Sequence, residues 1–100
     1  MEARGVRYDF EALPWRYEGK AAWHFVSMPA QMADEVRGYF GNEEQGWGRL
    51  KATARIGNTE WATAIWYDTK AATYLLPIKA DIRRKEQIEV NRKIAVSIWI

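Results

Sequence analysis

Cysteine is absent from the 100 residues. Its absence excludes disulfides, thiolate nucleophiles, iron–sulfur clusters and cysteine-bearing zinc sites, and it fits a reducing compartment. Histidine occurs once, at His24, so a histidine-built metal centre or a Ser-His relay has little to draw on. Long apolar runs are also missing. The longest, Leu75-Leu76 and the stretch from Ile94 to Ile100 interrupted by Ser97, are strand-length and far short of the roughly 20 residues of a membrane span. The first residues, Met1-Glu2-Ala3-Arg4-Gly5, lack the apolar core of a secretory leader. A strong charge imbalance is lacking too: the formal charge is +2, milder than that of a typical nucleic-acid binder. These absences lead to the expectation of one cytoplasmic domain spanning residues 1–100, with no membrane partner and no cofactor.

What the chain does have is tryptophan, six in 100 residues, and a hydrophobic period that is mostly two, the mark of strands. Val6, Tyr8 and Phe10 alternate with Arg7, Asp9 and Glu11, and Leu13-Pro14 ends that strand, because proline cannot donate to a ladder. Tyr17-Glu18-Gly19-Lys20 reads as a turn, and Ala21 to Ser27 as a second strand, with Trp23 and Phe25 facing one way and His24 and Val26 the other. Pro29 suits a helix start, and Met32, Val36, Tyr39 and Phe40 form the apolar stripe of a helix over about 29–40. Leu50, Ala52, Ala54 and Ile56 point inward and Arg49, Lys51, Thr53 and Arg55 outward; Gly57-Asn58 is a hairpin turn. The return strand carries Trp61, Thr63, Ile65 and Tyr67 on one face and Ala62, Ala64 and Trp66 on the other. Thr73 to Leu76 is a short strand. Residues of about 78–87 form a short helical turn, with Ile78 and Ile82 at helical spacing. In the last strand Ile94, Val96, Ile98 and Ile100 oppose Ala95, Ser97 and Trp99. A strand this apolar must be paired, since a free edge invites aggregation. The expected fold class is mainly β: a small closed or nearly closed β-barrel of about six strands with one amphipathic helix.

No catalytic constellation emerges, so an enzyme is not expected. A lone histidine in an apolar strand is ordinarily a hydrogen-bonded core residue. The carboxylate pairs Glu43-Glu44 and Asp81 with Glu86 lie in polar segments, where a general acid lacks the burial that raises its pKa. Gly46-Trp47-Gly48 is followed by neither a helix nor a lysine-threonine pair, so it is not a phosphate loop. The suggestive groups are basic. Arg49, Lys51 and Arg55 share one strand face, and Lys79, Arg83, Arg84 and Lys85 crowd the short helix. Adjoining, they would form a stripe able to hold phosphates, with Trp47, Trp66 or Trp99 beside it for stacking. Their ordinary role is a solvated face interspersed with acids. Trp66 with Ala62 and Ala64, and Trp99 with Ala95, would instead leave shallow apolar patches of the kind that mark partner sites.

The run from Gly48-Arg49-Leu50 through Ile56-Gly57-Asn58-Thr59-Glu60-Trp61-Ala62-Thr63, then Tyr74-Leu75-Leu76-Pro77-Ile78-Lys79-Ala80-Asp81-Ile82-Arg83, resembles the DUF1905 family of small bacterial barrels. The upstream Trp23-His24-Phe25-Val26-Ser27-Met28-Pro29 is similar to the strand that leads into that family's proline-started helix, and the resemblance runs from about Phe10 to Ile100. It implies a small β-barrel with one main helix, typically bacterial and often free-standing, and no established activity or catalytic residue. Some relatives carry a further C-terminal domain linked by name to bacteriocin protection; a chain ending at Ile100 is expected to lack it. One departure stands out: the family's usual Gly-Asp before the last strand is here Asn91-Arg92. Asparagine tolerates positive φ, so the turn is expected to survive, but an acid gives way to a base. Three functional readings follow in order: a non-enzymatic binding or interaction module, one version of which is a homo-oligomer; weak single-stranded nucleic-acid binding through the basic stripe; and a small-ligand carrier or enzyme using the barrel interior, with His24 and Tyr74 as its polar contacts.

Overall fold

The computed structural model describes residues 5–19, 22–46 and 48–100. Among the described residues the chain forms seven strands, β1 (Arg7–Ala12), β2 (Trp15–Arg16), β3 (His24–Ser27), β4 (Arg49–Ile56), β5 (Thr59–Asp68), β6 (Thr73–Pro77) and β7 (Ile94–Trp99). Two α-helices, α1 (Ala30–Phe40) and α2 (Ala80–Lys85), lie between them. Every pairing is antiparallel, in the order β1-β7-β4-β5-β6-β3-β2. β1 and β2 therefore sit at opposite edges of the sheet, yet only Leu13 and Pro14 separate them in sequence. A flat sheet would hold its outer strands about 29 Å apart, six steps of about 4.8 Å. The chain from Ala12 to Trp15 reaches at most about 11 Å. The sheet must curl until its two edges approach, and the result is a half-barrel.

The inner face of the curl is the core. Leu50, Ala52, Ala54 and Ile56 of β4 are all buried, as are Val26 of β3, Ile65 of β5, Leu76 of β6, and Val96 and Ile98 of β7. Burying each of the larger ones is worth about 1.5–3 kcal/mol. α1 lays Ala33 and Val36 on this face, with Met32 and Phe40 packed at the margin. Tyr39 departs from the expected stripe and is 73% exposed. At 100° per residue, Ala33, Val36 and Phe40 share one face, while Tyr39 falls on its flank. Ala33 was the hidden member of the stripe, too small to register as hydrophobic.

As expected, Leu13-Pro14 ends the first strand, and the chain passes there from one edge of the sheet to the other. The proline is fully buried, and its carbonyl accepts the Asn91 amide at 2.9 Å. Beyond it, Trp15–Arg16 pairs with Phe25 and His24. The expected strand from Ala21 is shorter, starting at His24, and Lys20 and Ala21 lie outside the described residues. The β4–β5 hairpin closes with Ile56 opposite Thr59; Gly57 has φ +60°, which only a residue without a Cβ adopts freely. Asn91 also takes positive φ, at +65°, so the turn before β7 keeps its shape without glycine. No helix of the described residues is long and apolar enough to cross a membrane.

Candidate functional site

The site begins with strand register. On the outer face of the sheet Arg49 lies opposite Trp66, Lys51 opposite Ala64, and Thr53 opposite Ala62. Across the next pairing Thr53 lies opposite Trp99. Small side chains at Thr53, Ala62 and Ala64 thus sit between the tryptophans of β5 and β7. The difference in height leaves a groove of about 810 Å³. Its far wall comes from the other side of the sheet: Phe25 is opposite Pro77, and the residues just beyond, Trp23 and Lys79, line the groove with Pro77. Three tryptophans (Trp23, Trp66, Trp99) and three cations (Arg49, Lys51, Lys79) therefore surround one trough, and among the described residues no acidic side chain lines it.

The tryptophans are not equivalent. Trp23 is 54% exposed and Trp66 39%, so both present ring surface to solvent, whereas Trp99 is only 7% exposed. Trp99 does not make the open patch expected of it beside Ala95; the guanidinium of Arg7 lies 5.2 Å from its ring centre. Trp23 stacks on Phe25 with ring centres 6.0 Å apart and planes 13° from parallel, and Trp15 leans on the same phenylalanine. The Trp15 indole N–H donates to Ser27 Oγ at 2.9 Å, which fixes one end of this aromatic row. Beyond Trp23 and Trp66 the groove continues as a depression of about 370 Å³ shared with Tyr17, Phe25, Leu75 and Pro77. The guanidinium of Arg49 stands 5.8 Å from the Trp66 ring and donates to Gln45 Oε1 at 2.8 Å. Trp47 lies outside the described residues.

The expected basic stripe is divided by the fold. Arg49, Lys51 and Lys79 meet at the groove, and Arg83 lies in the adjoining cleft beside Trp23 and His24. Arg55, Arg84 and Lys85 line neither. Arg55 sits at the far end of β4, where Ser97 Oγ donates to Asp9 at 2.6 Å and Arg7 pairs with the same carboxylate at 2.9 Å. These two hydrogen bonds, reinforced by the charges of Arg7 and Arg55, hold the Asp9 carboxyl below its usual range. Ion pairs among the described residues, Arg7–Asp9, Arg92–Glu89 and Lys93–Glu11, involve none of the groove cations. One end of the outer face is charge-balanced; the other is positive.

The interior offers a different chemistry. Tyr74 is 1% exposed, and its hydroxyl donates to the carboxylate of Glu44. Burial first, and the carboxylate second, push its pKa well up. Tyr67 meets it edge-on at 5.1 Å, with the Arg37 guanidinium 3.7 Å above the Tyr67 ring. This cluster ties α1 and the turn at Gly41–Glu43 to β5 and β6. Glu44 is therefore half-buried and engaged, not the solvated loop acid that its neighbour Glu43 is. Glu86, likewise, accepts from Thr59 at 2.6 Å beneath the hairpin. His24 is half-buried, and its Nδ1–H donates to the Ala22 carbonyl at 3.0 Å. Among the described residues no group of three or more His, Asp and Glu side chains could hold a metal ion.

Sequence reasoning missed Trp23 as a groove residue, together with Tyr17, Phe25, Leu75 and Pro77. A signal was present. The chain has one amphipathic helix long enough to cover one sheet face, yet both faces of the strand from Trp23 to Val26 are apolar. One of them had to remain uncovered.

None of the curated proteins compared with the chain matches it. Residues 10–98 match the model of a family described as a domain of unknown function, and on that match, which takes in every strand apart from the first half of β1 and the last residue of β7, the chain belongs to the DUF1905 family.

Proposed function

We propose that the protein is a non-enzymatic binding module whose outer groove takes single-stranded nucleic acid. The observation that carries this reading is the lining of one groove by Trp23, Trp66 and Trp99 with Arg49, Lys51 and Lys79 and, among the described residues, by no acidic side chain. Planar bases stack on exposed indoles at about 1–3 kcal/mol each, without regard to sequence, while cations follow the backbone. Both ingredients are required at once. Arg49 beside the Trp66 ring supplies them within one side-chain pair. A double helix would not use the indoles, because its bases are already stacked. In this reading the protein works in the cytoplasm.

The apolar depression between Tyr17, Phe25, Trp66 and Leu75 favours a second reading, contact with another copy of the chain. Light scattering separates the two: self-association gives a mass that rises with protein concentration and ignores added oligonucleotide.

The primary test is a titration of a short oligothymidylate at low salt, followed by tryptophan fluorescence. Quenching and saturation are expected. Trp66→Ala should weaken binding roughly 5–150-fold, the equivalent of one lost stacking contact. Absence of binding at low salt, or full affinity in Trp66→Ala, overturns the reading.

A further inference from the structure

We infer that the cleft beside Trp23 is a site for a terminal phosphate of the strand held in the groove. The inference rests on the groove reading and adds to it an end preference. The cleft is about 260 Å³ and is lined by His24, Lys79 and Arg83 against the Trp23 ring, Ile78 and Pro77. It opens onto the groove, because Trp23, Pro77 and Lys79 line both. It is about a third of the groove's volume, below the roughly 300–1,000 Å³ of sites that enclose a whole drug-sized ligand. It suits one compact group at the end of a longer ligand.

The cleft is selective for charge. Four side chains with nitrogen donors, Trp23, His24, Lys79 and Arg83, line it, and among the described residues no carboxylate does. Arg83 is half-buried, and one of its terminal nitrogens donates to the Ile78 carbonyl at 3.0 Å. That bond tethers the guanidinium and leaves the other donors of its fork for a ligand. A tethered guanidinium is pre-organised, so little side-chain entropy is lost when a phosphate pairs with it. His24 commits Nδ1–H to the Ala22 carbonyl. Its other ring nitrogen, Nε2, accepts the P–OH hydrogen of a monoprotonated phosphate, or donates to the dianion when the ring is charged. Lys79 adds a compact point charge shared with the groove. A phosphomonoester carries about −1.5 to −2 charges near neutral pH, whereas an internal phosphodiester carries one. The difference is what a two-cation cleft at the end of a groove would read.

The experiment compares three oligothymidylates of equal length, bearing a 5′-phosphate, a 3′-phosphate or hydroxyls at both ends, on the full chain at one salt concentration. One of the phosphorylated strands is expected to bind tighter than the hydroxyl strand by on the order of tenfold, the worth of one charge-assisted pair. In Arg83→Gln that preference should shrink to within about twofold. The wild-type comparison needs no variant, so a misfolded Arg83→Gln does not remove the test. Equal affinity for all three strands overturns the end site and leaves the groove reading standing. If no strand binds, the groove reading falls; inorganic phosphate that then shifts the His24 ring resonances in wild type, and not in Arg83→Gln, would support the cleft as an anion site in its own right. No shift would overturn it as well.

Discussion

Salt should weaken oligonucleotide binding by an amount set by three side chains. Each lysine or arginine that neutralises a phosphate of a single strand releases about 0.7 of a counterion, so log K falls against log salt with a slope of about −0.7 per contact. Arg49, Lys51 and Lys79 line the groove and have no carboxylate among its described lining residues. Three contacts give a slope of about −2.1, and affinity drops about 18-fold between about 50 and about 200 mM salt. Lys51→Gln leaves two contacts, a slope of about −1.4 and a drop of about sevenfold. Arg55→Gln is the control. Arg55 shares the strand face with Lys51 but its charge acts on Asp9 at the balanced end of the sheet, so the slope should stay at the wild-type value. The assay is anisotropy of an end-labelled hydroxyl oligothymidylate, which avoids the charge of a terminal phosphate. A wild-type slope shallower than about −1 would mean that the groove cations do not meet phosphates. An Arg55→Gln effect as large as that of Lys51→Gln would mean that the whole strand face binds, and that the division drawn by Asp9 is wrong.

Other perturbations test other links. Ala62→Glu places a carboxylate on the exposed floor of the groove opposite Thr53; it should abolish oligonucleotide binding while leaving the thermal midpoint within a few degrees, and a binding-competent variant would move the site elsewhere. Tyr74 titrates near 10.0 when unfolded and is held protonated to higher pH in the fold. The unfolded chain therefore releases the proton first, and stability should decline as pH rises above about 10, by up to about 1.4 kcal/mol per unit; in Tyr74→Phe this decline should flatten, and urea melts at alkaline pH would show it. Ile65 is fully buried, and Ile65→Ala should cost about 2–5 kcal/mol by denaturant unfolding; a loss below 1 kcal/mol, about that of a surface change, would show that β5 is not at the centre of the core.

Much of the half-barrel was legible because period two survives burial of one face. β4 and β7 alternate without a break, and every inward assignment from Leu50 to Ile56 is buried. The hairpin followed from Gly57-Asn58, and α1 from Pro29 and its stripe. What escaped reading has physical causes. Trp15–Arg16 is too short to show a period. Tyr39 lies on the flank of α1, which one-dimensional spacing does not separate from its face. Arg49, Lys51 and Arg55 look alike in sequence; only the pairing Arg55–Ser97–Asp9 across β4, β7 and β1 splits them. Lys79 joined the groove through a contact between segments that are about thirty residues apart along the chain from Lys51, and no local pattern carries that information.

The exposed indoles also bear on why the groove is a site and not a by-product of packing. A small domain has every physical reason to bury its tryptophans, since each carries a large apolar area. Trp61 does pack against the core, even though its indole N–H finds no partner among the described residues. Burial is thus tolerated here at the cost of an unpaired donor, about 1–3 kcal/mol. Trp23 and Trp66 take the opposite course and remain in solvent, although Tyr17, Phe25, Leu75 and Pro77 lie beside them. Turning the register of β5 by one residue is no escape, because it would carry Ile65 and Tyr67 out of the core as it brought Trp66 in. The strand alternation that builds the core therefore fixes Trp66 outside, and the small residues Thr53, Ala62 and Ala64 keep its flank open. A groove that merely followed from folding would be expected to pair its cations with acids, as the Asp9 end of the same face does. The charge at the indole end, which no acid of the described residues balances within the groove lining, is the part that folding does not require, and it is the part that the salt slope and the Ala62→Glu variant interrogate.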